Sequence, residues 1–348
     1  MEFETKTIKV DGLTRNILLQ NENGPCALVA LTNVLVLSPQ HKLDANELIQ
    51  LINSNRKVTL EDLITTLANI GVMMDNGQSE DVNELLQLLP QLHTGLNVNP
   101  AFNGTFQDDQ ALALFRLFQV SLVHGWIVDP TRNEQQYHSV SHYSYDDAQN
   151  LLVHAYDIQN NGLQVENSEQ ILQDAQYLKS FLARSATQLT EYGIQHLQQL
   201  LQEHSYSVFF RNDHFSTIHK NNGGLYVLVT DLGFKKASNI VWQSLKSVKG
   251  NQDSFFTSEF LLTTLEQATA SGLDPNSNGS QLDEETPMTD EQLARLLQEE
   301  EDARAVRGIR SRQDRRAAAT ASSNEAKSAK KGKNKKAEKK KKKKCVIL

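Results

Sequence analysis

An apolar run from Cys26 to Leu37 follows directly on Gly24-Pro25 and constrains what this chain can become. Proline is tolerated in the first turn of a helix, where its missing N–H leaves nothing unpaired. Ala27, Leu28, Ala30, Leu31, Val34 and Leu35 then recur at helical spacing. The pattern predicts a helix that begins at Cys26 and around which the rest of the chain is organised. A cysteine at a helix N-terminus meets unpaired N–H groups and the positive end of the macrodipole. That placement favours the thiolate, which is the nucleophilic form. Gln20, six residues earlier on the approaching loop, brings a second N–H donor to the one at the helix start, and two donors make an oxyanion hole. The plainer alternative is that Cys26 is a small buried hydrophobe.

Cys26 and Cys345 are the two cysteines of 348 residues, too few for a disulfide framework. Met1–Val10 alternates in charge and does not read as a signal peptide, and no run approaches a membrane span. These features predict a reducing, cytosolic or nuclear environment. The net charge of −7 conceals two opposite parts. From residue 286 onward there are 19 Lys and Arg against 9 Asp and Glu, leaving 16 against 33 before it. An acidic body repels phosphates, so nucleic acid is not expected as a partner.

Along the chain, Phe3–Val10 and Leu13–Leu19 read as strands about an Asp11-Gly12 turn. Helical spacing recurs at Asp44–Ile52, Leu60–Asn69, Asp81–Leu89 (stopped by Pro90) and Asp108–Phe118. It returns at Ser144–Ile158, Ser168–Leu182 and Thr190–Glu203. Leu96–Phe106 and Ser121–Asp129 read as loop or short strand. The pattern then changes to short β-rich runs, Tyr206–Arg211, His214–His219 and Leu225–Thr230, the last two joined by Asn221-Asn222-Gly223-Gly224. Ser258–Ala268 is predicted to close the body as a helix. Helices first and strands later make an α+β fold.

A thiolate needs a base, usually histidine, oriented by a third group. His138 and His142 lie four apart, but Ser-Val-Ser between them is poor helix and no third ligand is evident, so no metal is expected. His214 opens a strand beside the polar Arg211-Asn212-Asp213, where active-site groups tend to collect. Taken alone it reads more readily as a structural histidine. A turn centred on Asn222-Gly223 sets residue 214 opposite Asp231, a candidate orienter. A one-residue slip would break that pairing. Asn212, or a hydroxyl, is the alternative.

Gln20-Asn21-Glu22-Asn23-Gly24-Pro25-Cys26-Ala27-Leu28 resembles the nucleophile motif of the MINDY deubiquitinases, papain-like cysteine peptidases that trim polyubiquitin. Phe209–Thr217 is similar to their histidine motif. Leu96-Asn97-Val98-Asn99, His124–Pro130, Leu225–Phe234 and Val241–Leu245 also resemble that family, over about residues 13–262. The resemblance implies a papain-like fold, with a helical nucleophile region and an antiparallel sheet carrying the histidine. It implies Cys26 as nucleophile, His214 as base, no cofactor, and polyubiquitin, of chains joined through lysine forty-eight, as substrate. It also implies that Val98, Trp126, Tyr145 and Phe210 line the ubiquitin-binding surface. For each aromatic, core packing is the alternative.

Residues 1–269 form the expected catalytic domain and 270–288 a linker. Thr289–Asp302 then opens with a capping signal and carries a narrow stripe of Leu293, Ala294, Leu296 and Leu297 between acidic ends. It is too short to fold alone and is suited to docking on a partner's apolar patch. The segment resembles the ubiquitin-interacting helix, of the MIU type, found in MINDY proteins. Residues 303–344 are a charged tail that cannot fold, with 12 lysines and one glutamate from Lys327 to Lys344. The chain closes on Cys345-Val346-Ile347-Leu348, a CaaX box whose leucine favours geranylgeranyl transfer by a prenyltransferase. The box gives the sequence the look of a fungal-type family member. One lipid chain with a polybasic patch gives stable anchoring to an anionic membrane surface. The expectation is a deubiquitinase peripheral on the cytosolic face of a membrane. The alternative is a catalytically silent ubiquitin-binding adaptor there.

Overall fold

Strand β1 (Glu2–Val10) forms a hairpin with β2 (Leu13–Leu18), running from Val10 opposite Leu13 to Thr5 opposite Leu18. On its other side β1 pairs antiparallel with β3 (Lys57–Thr59), completing a three-stranded sheet. The computed structural model describes residues 1–10, 12–20, 26–75, 82–107 and 110–265. Residues 270–348, which hold the linker, the Thr289–Asp302 segment, the lysine tail and the CaaX box, lie outside the described residues, as do Asn21–Pro25.

Helix α1 (Cys26–Leu37) is buried at every residue from Ala27 to Leu37. Fully burying a leucine is worth roughly 1.5–3 kcal/mol. Leu28, Leu31 and Leu35 are all 0% exposed, so packing, not intrinsic propensity, holds this helix. Buried Asn33 accepts from the Leu18 N–H at 2.8 Å and donates to the Leu18 carbonyl at 3.0 Å, fixing the end of β2 on the helix. Helices α2 (Asn46–Ser54), α3 (Leu60–Asp75), α4 (Val82–Leu86), α5 (Gln91–Thr94) and α6 (Gln110–Leu117) continue this half. Pro90 is a start and not a stop: it stands at the N-cap of α5, which Gly95 ends at φ 129°. Proline loses nothing at that position.

Three helices form a lobe, α7 (Glu134–Val140), α8 (Tyr145–Asn161) and α9 (Ser168–Arg184), while α10 (Glu191–Leu200) packs against strands of the second sheet. Ser144 and Asp147 make a reciprocal capping box at the start of α8. Buried Asp174 accepts from Ser139 Oγ, Tyr143 Oη and Gln170 Nε2, tying α7 to α9. Helix α7 lies where Ser-Val-Ser argued against one; the Asn133 cap and this carboxylate outweigh weak propensity.

The second sheet is seven-stranded, in the order β10-β9-β8-β7-β6-β5-β4. Its members are β4 (Leu122–His124), β5 (Tyr206–Arg211), β6 (His214–Asn221), β7 (Gly224–Leu228), β8 (Trp242–Ser244), β9 (Phe255–Phe256) and β10 (Leu262–Thr263). Every pairing is antiparallel except β4 with β5, so the expected antiparallel sheet has one parallel edge. The architecture is α+β. Ser258–Ala268 is not the expected helix through Thr264: Thr257 Oγ1 accepts from the N–H groups of Glu259 and Leu261, Phe260 sits at φ 58°, and β10 pairs with β9. No helix among the described residues is long and apolar enough to cross a membrane.

Candidate active site

Cys26 is the first residue of α1 and is only partly buried. Burial alone would push its thiol up, and it is the largest influence. A hydrogen bond to the His214 side chain, the charge of that imidazole, and backbone hydrogen bonds at Phe215 and Ala27 together outweigh it. The thiol is held below its ordinary 9.0. The structure therefore brings Cys26 and His214 into direct contact from residues 188 positions apart.

His214 opens β6 one tight turn after β5, with Arg211 paired opposite it. The two turn residues, Asn212 and Asp213, adopt φ 50° and 55°. A two-residue hairpin turn with both centres left-handed demands residues that tolerate this region, and Asn and Asp are the side chains that do. The Arg211 side chain is buried and donates to the carbonyls of Thr187 (2.9 Å) and Val248 (2.7 Å). Gln188 Oε1 accepts from the Asn212 N–H at 3.0 Å. The turn is thus pinned from behind, and β6 is locked to α1 by Thr217 Oγ1 donating to the Ala30 carbonyl at 3.2 Å. Asn212 does not hold the imidazole: both its side-chain polar atoms are buried without a hydrogen-bond partner.

Gln20 is 4% exposed and stands at the exit of β2. Its N–H donates to the Thr230 carbonyl at 2.8 Å, and its carbonyl accepts from the Leu232 N–H at 3.1 Å. Gln20 and Asp231 thereby form an isolated parallel bridge. The hairpin turn falls at Asn222-Gly223 as read from the sequence, with Asn221 opposite Gly224. The β6–β7 ladder then runs only to Ile218 opposite Val227. Asp231, three residues beyond β7, pairs its backbone with the segment leading to Cys26.

A cleft of about 390 Å³ has Cys26 in its wall, with Val98, Phe210, Phe215, Asp213, His93 and the Thr94–Asn97 segment. Val98 and Phe210 thus line the same cleft as Cys26, although Phe210 is itself 5% exposed and packed against Phe215 and Phe106. Trp126 does not: it is 4% exposed, its indole N–H donates to Ser185 Oγ at 2.8 Å, and it packs edge-on against Phe102. The correction is that Trp126 belongs to the core of the helical lobe and backs Tyr145, whose ring lies 5.5 Å away and is 38% exposed. His93 was not singled out from the sequence, although it stands three residues before the Leu96–Asn99 motif. Its Nδ1 is buried without a hydrogen-bond partner. Among the described residues no group of His, Cys, Asp and Glu could hold a metal ion. Leu293, Ala294, Leu297 and Cys345 lie outside the described residues.

A family model described as MINDY deubiquitinase matches residues 1–260. The chain is 48% identical to the protein YGL082W of Saccharomyces cerevisiae over 333 residues, covering 89% of this chain and 86% of that one. It is 45% identical to the ubiquitin carboxyl-terminal hydrolase MIY1 of the same organism, covering 88% and 86%. Against the ubiquitin carboxyl-terminal hydrolase MINDY-2 of Homo sapiens it is 32% identical, covering 83% of this chain and 48% of the relative.

Proposed function

The chain belongs to the MINDY family of deubiquitinases, a cysteine-type hydrolase acting on ubiquitin conjugates, and from that membership we propose how its cleft divides the work. Cys26 is the nucleophile, His214 the base and then the acid, and Gln20 an oxyanion donor. The observation that carries this reading is the hydrogen bond between Cys26 and His214 at the start of α1.

The Cys26 thiolate attacks the carbonyl carbon of the isopeptide bond, and the carbonyl oxygen takes the negative charge. An N–H at the start of α1 and the Gln20 amide stabilise that oxygen. As the carbonyl re-forms, the C–N bond breaks and the His214 imidazolium gives its proton to the departing lysine amine. The result is a thioester to Cys26. Water then attacks the thioester as His214 takes its proton, the C–S bond breaks, and the carboxylic acid product leaves with the Cys26 thiolate and His214 imidazolium restored. Asp231 orients His214, or a hydroxyl on the same segment does, Thr230 being next in sequence. Val98, Phe210 and Tyr145 contact ubiquitin, with Trp126 beneath Tyr145.

The substrate is polyubiquitin of the chain type joined through lysine forty-eight. The helix at 289–302 reads that chain through Leu293, Ala294 and Leu297. Cys345 receives a geranylgeranyl group, and the lysine run holds the enzyme to an anionic membrane surface. Purified protein set against a panel of ubiquitin chains of defined linkage, with Cys26→Ala beside it, tests the reading. Cleavage of one chain type that disappears in Cys26→Ala is the result expected.

A further inference from the structure

Lys6 is a lysine on β1 that is 4% exposed. Its Nζ donates to the carbonyls of Phe234 at 3.0 Å and Ile240 at 2.6 Å, and burial lowers its pKa to about 8. An apolar side chain of similar length would fill this space without the cost of desolvating an ammonium. What sets Lys6 apart is what it holds.

Phe234 and Ile240 both lie in the connector between β7 and β8, Phe234 near its middle and Ile240 two residues before β8. The side chain of Glu4, two residues back on β1 and so on the same face, is paired with Lys235 of that connector. The connector begins with the bridge to Gln20: Thr230 accepts from the Gln20 N–H, and Leu232 donates to the Gln20 carbonyl. On the other flank, the Leu19 N–H donates to the Glu4 carbonyl at 2.9 Å. The Leu19–Gln20 backbone is therefore held between β1, at Leu19, and the connector, at Gln20, and β1 fastens the connector to itself through Lys6 and Glu4. Slack in the connector passes directly to the backbone of Gln20.

We propose that Lys6 is a positioning residue for Gln20, holding through the β7–β8 connector the amide that donates to the oxyanion. This rests on the reading of Gln20 as an oxyanion donor. Lys6 touches no reacting atom. Misplacing a donor by a fraction of an ångström weakens the transition state while leaving the thiolate and the ubiquitin surface as they were.

The test uses the full chain with Lys6→Met, which keeps the length and removes the donor. Turnover is read on ubiquitin joined by an amide to a fluorophore, and the thiolate by the rate of iodoacetamide alkylation. The expected result is a kcat lower by about tenfold or more, with KM and alkylation unchanged. In a Gln20→Ala background the same change should cost nothing further, since the two act as a unit. Wild-type kcat in Lys6→Met, alkylation falling in step with kcat, or an equal added loss in the Gln20→Ala background overturns the inference. If Gln20→Ala is slow and Lys6→Met is not, only the role of Lys6 fails; if Gln20→Ala is fully active, both fail. Should Lys6→Met not fold, Glu4→Gln decides: it loosens the same connector from outside, and wild-type kcat there contradicts the account.

Discussion

The backbone of Gln20 is bridged in parallel to that of Asp231, so the segment leading into the nucleophile and the segment following the histidine hairpin are joined three residues past the end of β7. Two of the groups assigned to catalysis thus share one mechanical element. Gln20→Ala should lower turnover by about 10²–10³, the usual loss for one oxyanion donor, with thiol alkylation unchanged. Asp231→Asn and Thr230→Val separate the two candidates for orienting His214: the larger fall in kcat marks the group that holds the imidazole.

The second expectation concerns the thiol. Burial pushes Cys26 up, and only the His214 hydrogen bond and charge, with backbone hydrogen bonds at Phe215 and Ala27, bring it below 9.0. In wild type the rate of iodoacetamide alkylation should fall as pH drops through a midpoint below that value, because the thiolate is being protonated. In His214→Ala the desolvation remains while its main opponent is gone, so the midpoint should rise. A midpoint that stays put in His214→Ala would show that the imidazole does not govern the thiol.

Much of this arrangement is legible along the chain, and what is legible is local. The helix at Cys26 follows from Gly-Pro and a 3.6-residue period, and the 222–223 turn from Asn-Gly, which meets φ 49° and 73° without strain. The Asn212-Asp213 turn that aims His214 follows from the same chemistry. The parallel edge strand β4 does not, because Leu122–His124 is three residues long and its partner β5 lies over 80 residues on. Lys6 reads as a solvated charge in an alternating strand, and its burial depends on carbonyls at 234 and 240. For Trp126 the sequence leaves a ubiquitin-facing role and core packing both open, and only the enclosure by Ser185 and Phe102 decides for the core. The Gln20–Asp231 bridge is likewise invisible, since nothing local encodes which loop the 229–232 segment will meet.

His124 supplies a stability test. It is 1% exposed; its Nδ1 accepts from the Trp126 N–H at 3.1 Å, so Nε2 carries the proton and donates to the Thr105 carbonyl at 2.8 Å. Burial lowers its pKa from 6.5 to about 4. Between those values the unfolded chain binds a proton that the folded chain does not, so stability is full above pH 6.5 and declines as pH falls toward 4. The decline from this group should reach roughly 3 kcal/mol. Denaturant titrations at pH 7 and pH 4.5 measure it, and an acid-side loss that persists undiminished in His124→Gln would assign it elsewhere.

Attachment to a membrane should depend on residues beyond 286, because the acidic body is repelled by an anionic leaflet. Cys345→Ser removes the lipid and leaves lysines whose attraction is screened by salt. That variant should stop pelleting with anionic vesicles at physiological salt while its purified turnover is unchanged. Deleting 289–302 should weaken cleavage of long chains more than short ones. A Cys345→Ser protein that still pellets, or equal losses on both chain lengths, contradicts these assignments.

The most direct test of the central claim, that Cys26 activated by His214 carries out the hydrolysis, is reaction of the purified chain with ubiquitin bearing a C-terminal electrophile, followed by peptide mapping of the adduct. The account predicts one covalent adduct per chain, on Cys26, lost in Cys26→Ala and strongly slowed in His214→Ala. An adduct on another residue, or hydrolysis of polyubiquitin that survives in Cys26→Ala, would contradict it.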